Sequence, residues 1–248
     1  MEENKRLTTK QHWTNQEEKY QFKKHNGHAI EALIRKFIPP NPLGSCLEVG
    51  SFPGHFLPIL GDLGYTLNGI DFNPKNKDQL PAWLESEGYK LGEFITEDFL
   101  DFDSTLKYDT VMSFGFIEHF SNYEELLAEH AKMVKDGGYL VITTPNFRGM
   151  VQRWLHQTFD KRNLQFHNIE SMQPGMWQLQ LEKAGFEVLF AGHFGGFEFW
   201  RSPDPLSAVK KKALWIIWRM VGRVNKLLWF NSSTFSAYCG VVAQKKKI

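Results

Sequence analysis

The chain has 248 residues, 42% hydrophobic and 15% aromatic, enough apolar material for one large domain with a thick core or an aromatic-lined pocket. Its two cysteines, Cys46 and Cys239, exclude a disulfide scaffold and a four-cysteine zinc site and fit a reducing compartment. The net charge of +1 hides an asymmetry: residues 205–248 hold nine of the 29 Lys and Arg and none of the 28 Asp and Glu, a hint of an anionic partner.

The first residues are polar and lack an apolar leader core, and no run of 18 uncharged apolar residues occurs, so a cytoplasmic protein is expected. Ile30, Leu33, Ile34, Phe37 and Ile38 then recur at helical spacing until Pro39-Pro40 stops the helix. Cys46–Val49 reads as a short buried strand ending in Gly50, and Phe56–Leu63 as a helix closed by Gly64. A second strand, Tyr65–Ile70, ends at Asp71 and is followed by a polar, proline-containing stretch with no assigned element. Phe94–Thr96 leads to Asp98 as a third strand, and Tyr108–Phe114 is a fourth. A helix with an acidic start (Tyr123–Val134) precedes the Asp136-Gly137-Gly138 turn into a fifth strand, Tyr139–Thr143, ended by Pro145. After a mixed region come a helix at 172–184, a strand at Phe186–Ala191, a strongly aromatic helix at 208–230 and a last strand at Phe235–Ala243. Strands alternating with helices predict a parallel sheet covered on both faces, in one domain without internal repeats.

The turn Leu47-Glu48-Val49-Gly50-Ser51-Phe52-Pro53-Gly54 joins a strand to a helix, where glycines let backbone pass close to a ligand. It lacks the middle glycine of a dinucleotide fingerprint, and no Gly-Lys-Ser/Thr P-loop is present. Asp71, at the end of the second strand, can accept hydrogen bonds from both hydroxyls of a ribose, since a carboxylate has two acceptor oxygens. Asp98, followed by Phe99, suits an adenine held by its amino group and stacked on a ring. Each acid alone could be a helix cap or a solvated loop end. Three acids at successive strand ends, Glu48, Asp71 and Asp98, share the edge where open α/β sheets bind ligands.

These blocks resemble class I S-adenosylmethionine-dependent methyltransferases, in the order LEVGSFPG (47–54), GIDFNP (69–74), EDFLDF (97–102), YDTVMSFGFIEHF (108–120), MVKDGGYLVITTPN (133–146) and FHNIESMQPGMWQLQLEKAGFEVL (166–189). The branch resembled includes quinone-biosynthesis enzymes and methyltransferases of bacterial surface-glycan loci. The resemblance implies a Rossmann-like, doubly wound, seven-stranded, mostly parallel sheet with the last strand antiparallel. It also implies a helical N-terminal cap (1–40), a cofactor core (41–146), an acceptor-side segment (147–196), an insertion before the last strand (197–233) and that strand (234–248).

By residue, it implies that Glu48 orients the methionine amino end and that Gly50, Ser51, Phe52 and Gly54 pass under methionine and ribose. Asp71 with Phe72 would hold the ribose, Asp98 and Phe99 the adenine, and Ser113 with Phe114 would line the sulfonium. Phe52 departs from the Gly or Ala common there, so its ring must point away from the cofactor or narrow the pocket. His119 and His167 are the candidate bases toward an acceptor hydroxyl, with a structural, hydrogen-bonded role as the alternative. Related enzymes bind a divalent metal through Glu-x-x-Glu-His; here Gly115 replaces the first Glu and leaves Glu118 and His119, so no metal is expected.

Trp13, Tyr20, His25, Phe147, Trp154, Phe166 and Phe197 are candidate acceptor-side residues. In 209–230, Lys212, Arg219, Arg223 and Lys226 form a stripe opposite Leu214, Ile217, Val221, Val224 and Leu228, flanked by Trp215, Trp218 and Trp229. Such a helix either lies on an anionic membrane or packs its apolar side on the sheet. The expected activity is O-methylation of a small molecule or a glycan intermediate, free or lipid-linked. The alternatives are a non-catalytic cofactor-binding scaffold and a methyltransferase acting on RNA or protein.

Overall fold

The computed structural model describes residues 5–11, 13, 21–24, 26–102, 105–202, 204–224 and 230–247, with side chains left out at 222–224. A helix, α1 (Ala29–Phe37), turns Ile30, Leu33 and Ile34 inward and is capped where the His28 ring accepts from the Ile30 amide. There follow β1 (Ser45–Val49), α2 (Leu57–Asp62), β2 (Thr66–Asp71), α3 (Lys75–Ser86), β3 (Leu91–Thr96), β4 (Tyr108–Phe114), α4 (Tyr123–Lys132) and β5 (Val134–Pro145). The chain continues through α5 (Met150–Phe159), the short α6 (Lys161–Leu164), α7 (Pro174–Lys183), β6 (Phe186–Phe194), α8 (Ala208–Val224) and β7 (Tyr238–Lys245).

The seven strands form one sheet in the order β3-β2-β1-β4-β5-β7-β6. All neighbours are parallel except β7, which runs antiparallel to both β5 and β6. The fold is therefore the Rossmann-like one expected. Cys46, Leu47 and Val49 of β1 are fully buried, as a central strand covered on both faces requires. The core is divided by the sheet into two large clusters, one including Trp177 and Phe186, the other Leu57, Leu60 and the α1 residues.

Three helices have no clear pattern in the sequence: α3, α5 and the four-residue α6. In α3, Pro81 and many charges obscure the pattern, yet Asn76, Leu80 and Leu84 are buried on one face, and that packing overrides the proline. In α5, Gln152, Leu155, His156 and Phe159 form the buried face, but two of these four are polar. The last strand begins at Tyr238 rather than Phe235, and the fifth extends back to Val134.

The strand order reverses beside β1, between β1 and β4, where connections diverge and leave a crevice. Val49 pairs with Ser113 there, so the turns starting at Gly50 and Gly115 face one another across the sheet edge.

Candidate active site

The β1 turn is clamped to β2: the Gly50 and Ser51 amides both donate to the Ile70 carbonyl, at 2.9 and 3.2 Å. Gly50 has φ +70°, and a Cβ there would lie 2.7 Å from the Phe116 ring. Gly54 has φ +75°, and a Cβ there would collide with the Leu80 side chain. Both positions therefore need glycine for backbone shape and for space. Gly50→Ala is expected to lower stability by about 1–2 kcal/mol through its left-handed φ and, by displacing Phe116, to weaken ligand binding in the crevice. Thermal melting and calorimetric titration check this.

The crevice, about 240 Å³, is lined by Gly50, Phe52, Asp71, Phe72, Asp98, Phe99 and Phe114 among the residues singled out from sequence. Glu48, Ser51, Gly54 and Ser113 are not in its lining, and all four are buried. Ser51 donates to Asn76, which in turn donates to the Ile95 carbonyl, tying the β1 turn to α3 and β3. Glu48 is buried, and its Oε2 has no hydrogen-bond partner among the described residues. Burial, reinforced by the nearby Asp71 carboxylate, holds the Glu48 carboxyl well above its usual range. An orphaned buried acceptor of this kind suits an ammonium group delivered by a ligand. Phe52 is nearly buried and packs edge-on against Phe22, with ring centroids 5.9 Å apart, so its bulk is largely absorbed by core although it still contributes to the crevice wall.

Asp71 accepts from the Phe52 amide at 3.2 Å and the Asn73 amide at 2.8 Å. Burial pushes its pKa up to about 6 despite those two bonds. Asp98, the acid expected to hold adenine, is engaged by two cations. Burial raises its pKa, but the Lys10 ammonium at 2.7 Å, the Leu100 amide and the Arg6 guanidinium outweigh that and hold it below the usual carboxylate range. Arg6 also lies over the Phe120 ring at 4.8 Å, and the Leu7 amide donates to the His119 carbonyl. Arg6 thus belongs to the crevice wall, together with Phe116 and Phe120. Sequence gave no signal for Arg6, because its partner lies 92 residues away.

A second cavity, of about 600 Å³, adjoins the first. Trp13, Phe114, Gly115 and His119 line both. The rest of its wall includes Glu118, His167 and Phe166, with Trp200, Arg201 and Tyr238 from the β6–β7 segment and β7. Of the acceptor-side candidates, Trp13 and Phe166 line it. Phe147 is buried 4.7 Å from the His167 ring, Phe197 lies in a small core cluster under α8, and Trp154 is exposed outside. Tyr20 and His25 lie outside the described residues.

The two expected bases come together: the His119 and His167 rings are 4.6 Å apart. His119 Nδ1 is 2.8 Å from the Phe166 carbonyl, and His167 Nδ1 is 2.8 Å from the Asn163 carbonyl. A carbonyl only accepts, so each neutral imidazole is held as the Nδ1–H tautomer with Nε2 as its basic nitrogen. Beside them Glu118 is fully buried, and neither carboxyl oxygen has a partner among the described residues. Burial pushes its pKa up to about 8. One ligand atom each from Glu118, His119 and His167 fall within 4.8 Å of one another. The sequence reading expected no metal because of Gly115; the fold supplies His167 as a third ligand atom from 48 residues downstream.

A family model described as "Methyltransferase domain" matches residues 22–190, most of the chain. The chain belongs to the class I S-adenosylmethionine-dependent methyltransferases. Among curated proteins, the methyltransferase is similar to the ubiquinone biosynthesis O-methyltransferase of Rickettsia conorii, 27% identical over 117 residues. That stretch covers 47% of this chain and 40% of the relative, so the chain spans less than half the length of the protein it matches. Among solved structures it is similar to a SAM-dependent methyltransferase from Archaeoglobus fulgidus, with TM-score 0.56 and 20% identity over 87% of this chain and 93% of that one. Magnesium protoporphyrin IX methyltransferase from Synechocystis PCC 6803, solved with SAH bound, gives TM-score 0.51 and 12% identity over 88% and 80% of the two chains. The glycine turn of the methyltransferase, its orphaned Glu48 oxygen and Asp71 fit an S-adenosylmethionine: an ammonium for Glu48 and a ribose for Asp71.

Proposed function

We propose that this methyltransferase, with 1–248 acting as one unit, methylates an oxygen of a small molecule or of a glycan intermediate carried on lipid. The observation that carries the reading is the wall shared by the two cavities, with the His119–His167 pair on the acceptor side of it. When bound, S-adenosylmethionine would supply an electrophilic sulfonium methyl, with S-adenosylhomocysteine as the neutral leaving group that keeps the C–S bond electrons. Glu48, Asp71 and the β1 turn would hold that cofactor, with Phe114 and Gly115 in the wall that its crevice shares with the acceptor cavity. Trp13, Phe166 and Trp200 offer aromatic faces to a sugar or ring, and alignment of the acceptor oxygen supplies much of the rate. His119 Nε2 takes the hydroxyl proton, and the Phe166 carbonyl stabilises the imidazolium through Nδ1–H. An acceptor on lipid would place the protein at the cytoplasmic face of a membrane. The 27% identity to a ubiquinone O-methyltransferase favours oxygen as the methylated atom.

The test is calorimetric titration with S-adenosylmethionine and S-adenosylhomocysteine, then turnover on a panel of sugars, phenols and quinols. Micromolar binding of both with turnover on an oxygen acceptor supports the reading. Binding without any turnover favours a scaffold, and methylation of RNA or protein alone overturns the acceptor class.

A second reading has its own observation, the partnerless carboxyl of Glu118 beside two oriented imidazoles. Glu118, His119 and His167 would hold a divalent cation, which would lower the pKa of a bound acceptor hydroxyl in place of a base. The readings separate cleanly with EDTA. On the first, turnover is unchanged; on the second, it is lost and restored by Mg²⁺, Mn²⁺ or Zn²⁺, with one equivalent of metal found by elemental analysis.

A further inference from the structure

The helix α8 has two unlike sides. Ala213, Leu214, Ile217 and Val221 pack on Leu155, Phe159 and Phe199, so the apolar stripe read from sequence is used internally. The opposite side is not polar enough for an ordinary solvent face. Lys212, Trp215 and Arg219, spaced three and four residues apart, form its exposed midline, with the Arg219 guanidinium 4.9 Å over the Trp215 ring. Exposed Val209, Ile216 and Met220 flank one edge of the midline, Lys211 and Trp218 the other. Met220 is 60% and Trp215 57% exposed, a large apolar area to leave in water. The Arg223 and Val224 side chains, Lys226, Leu228 and Trp229 lie outside the described residues.

We propose that this outer face of α8 seats the protein on an anionic phospholipid surface. Two facts choose that partner. No acid occurs from 205 onward, so the cations of the face have no carboxylate on their own segment to neutralise them, and they complement anionic headgroups. The aliphatic and Trp side chains between the cations fit the headgroup–acyl boundary, whereas a nucleic-acid backbone gives Val209, Ile216 and Met220 nothing to bury into. Among the described residues no helix is long and apolar enough to cross a membrane. The neighbouring helix α5, joined to α8 where Lys210 donates to the Thr158 carbonyl, also exposes Trp154. Along the chain α8 follows the segment Trp200, Arg201 and Ser202 that lines the acceptor cavity, since it begins at Ala208. The assignment deepens the proposed function, resting on it for its purpose, since a lipid-borne acceptor would meet the cavity from this side.

The experiment is cosedimentation with phosphatidylcholine vesicles and with mixed phosphatidylcholine–phosphatidylglycerol vesicles, at low and high salt. The proteins are the wild type, Lys212→Glu/Arg219→Glu and Trp215→Ser/Trp218→Ser. Expected is retention on the mixed vesicles alone, weakened ~10-fold or more by salt or by the charge reversal, and weakened at low salt by the Trp pair. Wild type left in the supernatant with mixed vesicles overturns the proposal, as does a charge-reversed protein retained like wild type. Single-stranded RNA bound through the same stripe while vesicles are ignored would make nucleic acid the partner and overturn it as well. Both variants are checked for unchanged melting and unchanged S-adenosylmethionine titration, so loss of retention is not loss of fold. Turnover on a soluble acceptor without vesicles is measured in parallel. Turnover without retention sinks the membrane assignment alone, and retention without turnover sinks the methylation reading alone.

Discussion

Replacing Asp71 by Asn is expected to move cofactor affinity and protein stability in opposite directions. Affinity for S-adenosylmethionine falls, because an amide offers one acceptor oxygen where the ribose hydroxyls require two; the loss is ~10–100-fold, the worth of one or two hydrogen bonds to a charged group. Stability of the cofactor-free protein behaves otherwise. Burial raises the folded-state pKa of Asp71 to about 6. The unfolded chain loses this proton near pH 4, so between pH ~4 and ~6 the native state binds more protons than the unfolded one. Stability therefore falls as pH rises through that window and stays reduced above it, by about 3 kcal/mol. Asn removes the charge but orphans one of the amides of Phe52 and Asn73, costing roughly 1–2 kcal/mol. At pH 7 the variant is thus expected to melt at a slightly higher temperature than wild type, and its pH 4–6 slope to flatten. The same ionisation makes wild-type cofactor binding strengthen as pH rises to about 6 and level off beyond. Denaturant unfolding across pH and calorimetry at each pH read both effects. An unchanged slope with unchanged affinity would remove Asp71 from the site.

His119→Ala is expected to reduce kcat by ~10²–10⁴, the range for loss of a positioned general base, with cofactor affinity changed only modestly. His119 lines the crevice and packs beside Trp13 at 4.6 Å, but its imidazole Nδ1 is committed to the Phe166 carbonyl on the acceptor side. Phe166→Ala retains that carbonyl and is expected to keep most of the rate. The double variant with His167→Ala is expected to lose little more than the first, because the rings act at one place. Rate that recovers at high pH in His119→Ala marks a base; rate that does not, together with EDTA sensitivity, marks the cation reading. Full activity of His119→Ala would end both.

The alternation of short apolar strands with helices, the glycine turn after β1 and the acids at the ends of β2 and β3 are local patterns, and they were legible. Their physics is local too: a buried parallel strand must be apolar on both faces, and a left-handed turn must be glycine. Helix α3 was not legible, since Pro81 argues against a helix until Leu80 and Leu84 are packed on the sheet.

What only the tertiary structure decided depends on residues far apart in the chain. The Arg6–Asp98 pair closes over 92 residues, and His167 reaches Glu118 and His119 because the segment after β5 folds back over the sheet edge. The apolar stripe of α8 could have served a membrane or a core; contact with Leu155 and Phe199 assigned it to the core and left the Trp215 face outward. The sequence by itself thus determined the sheet and the family of the protein. Which side chains share a cavity was set by long-range packing, because periodicity fixes the face a residue occupies and never what that face will meet.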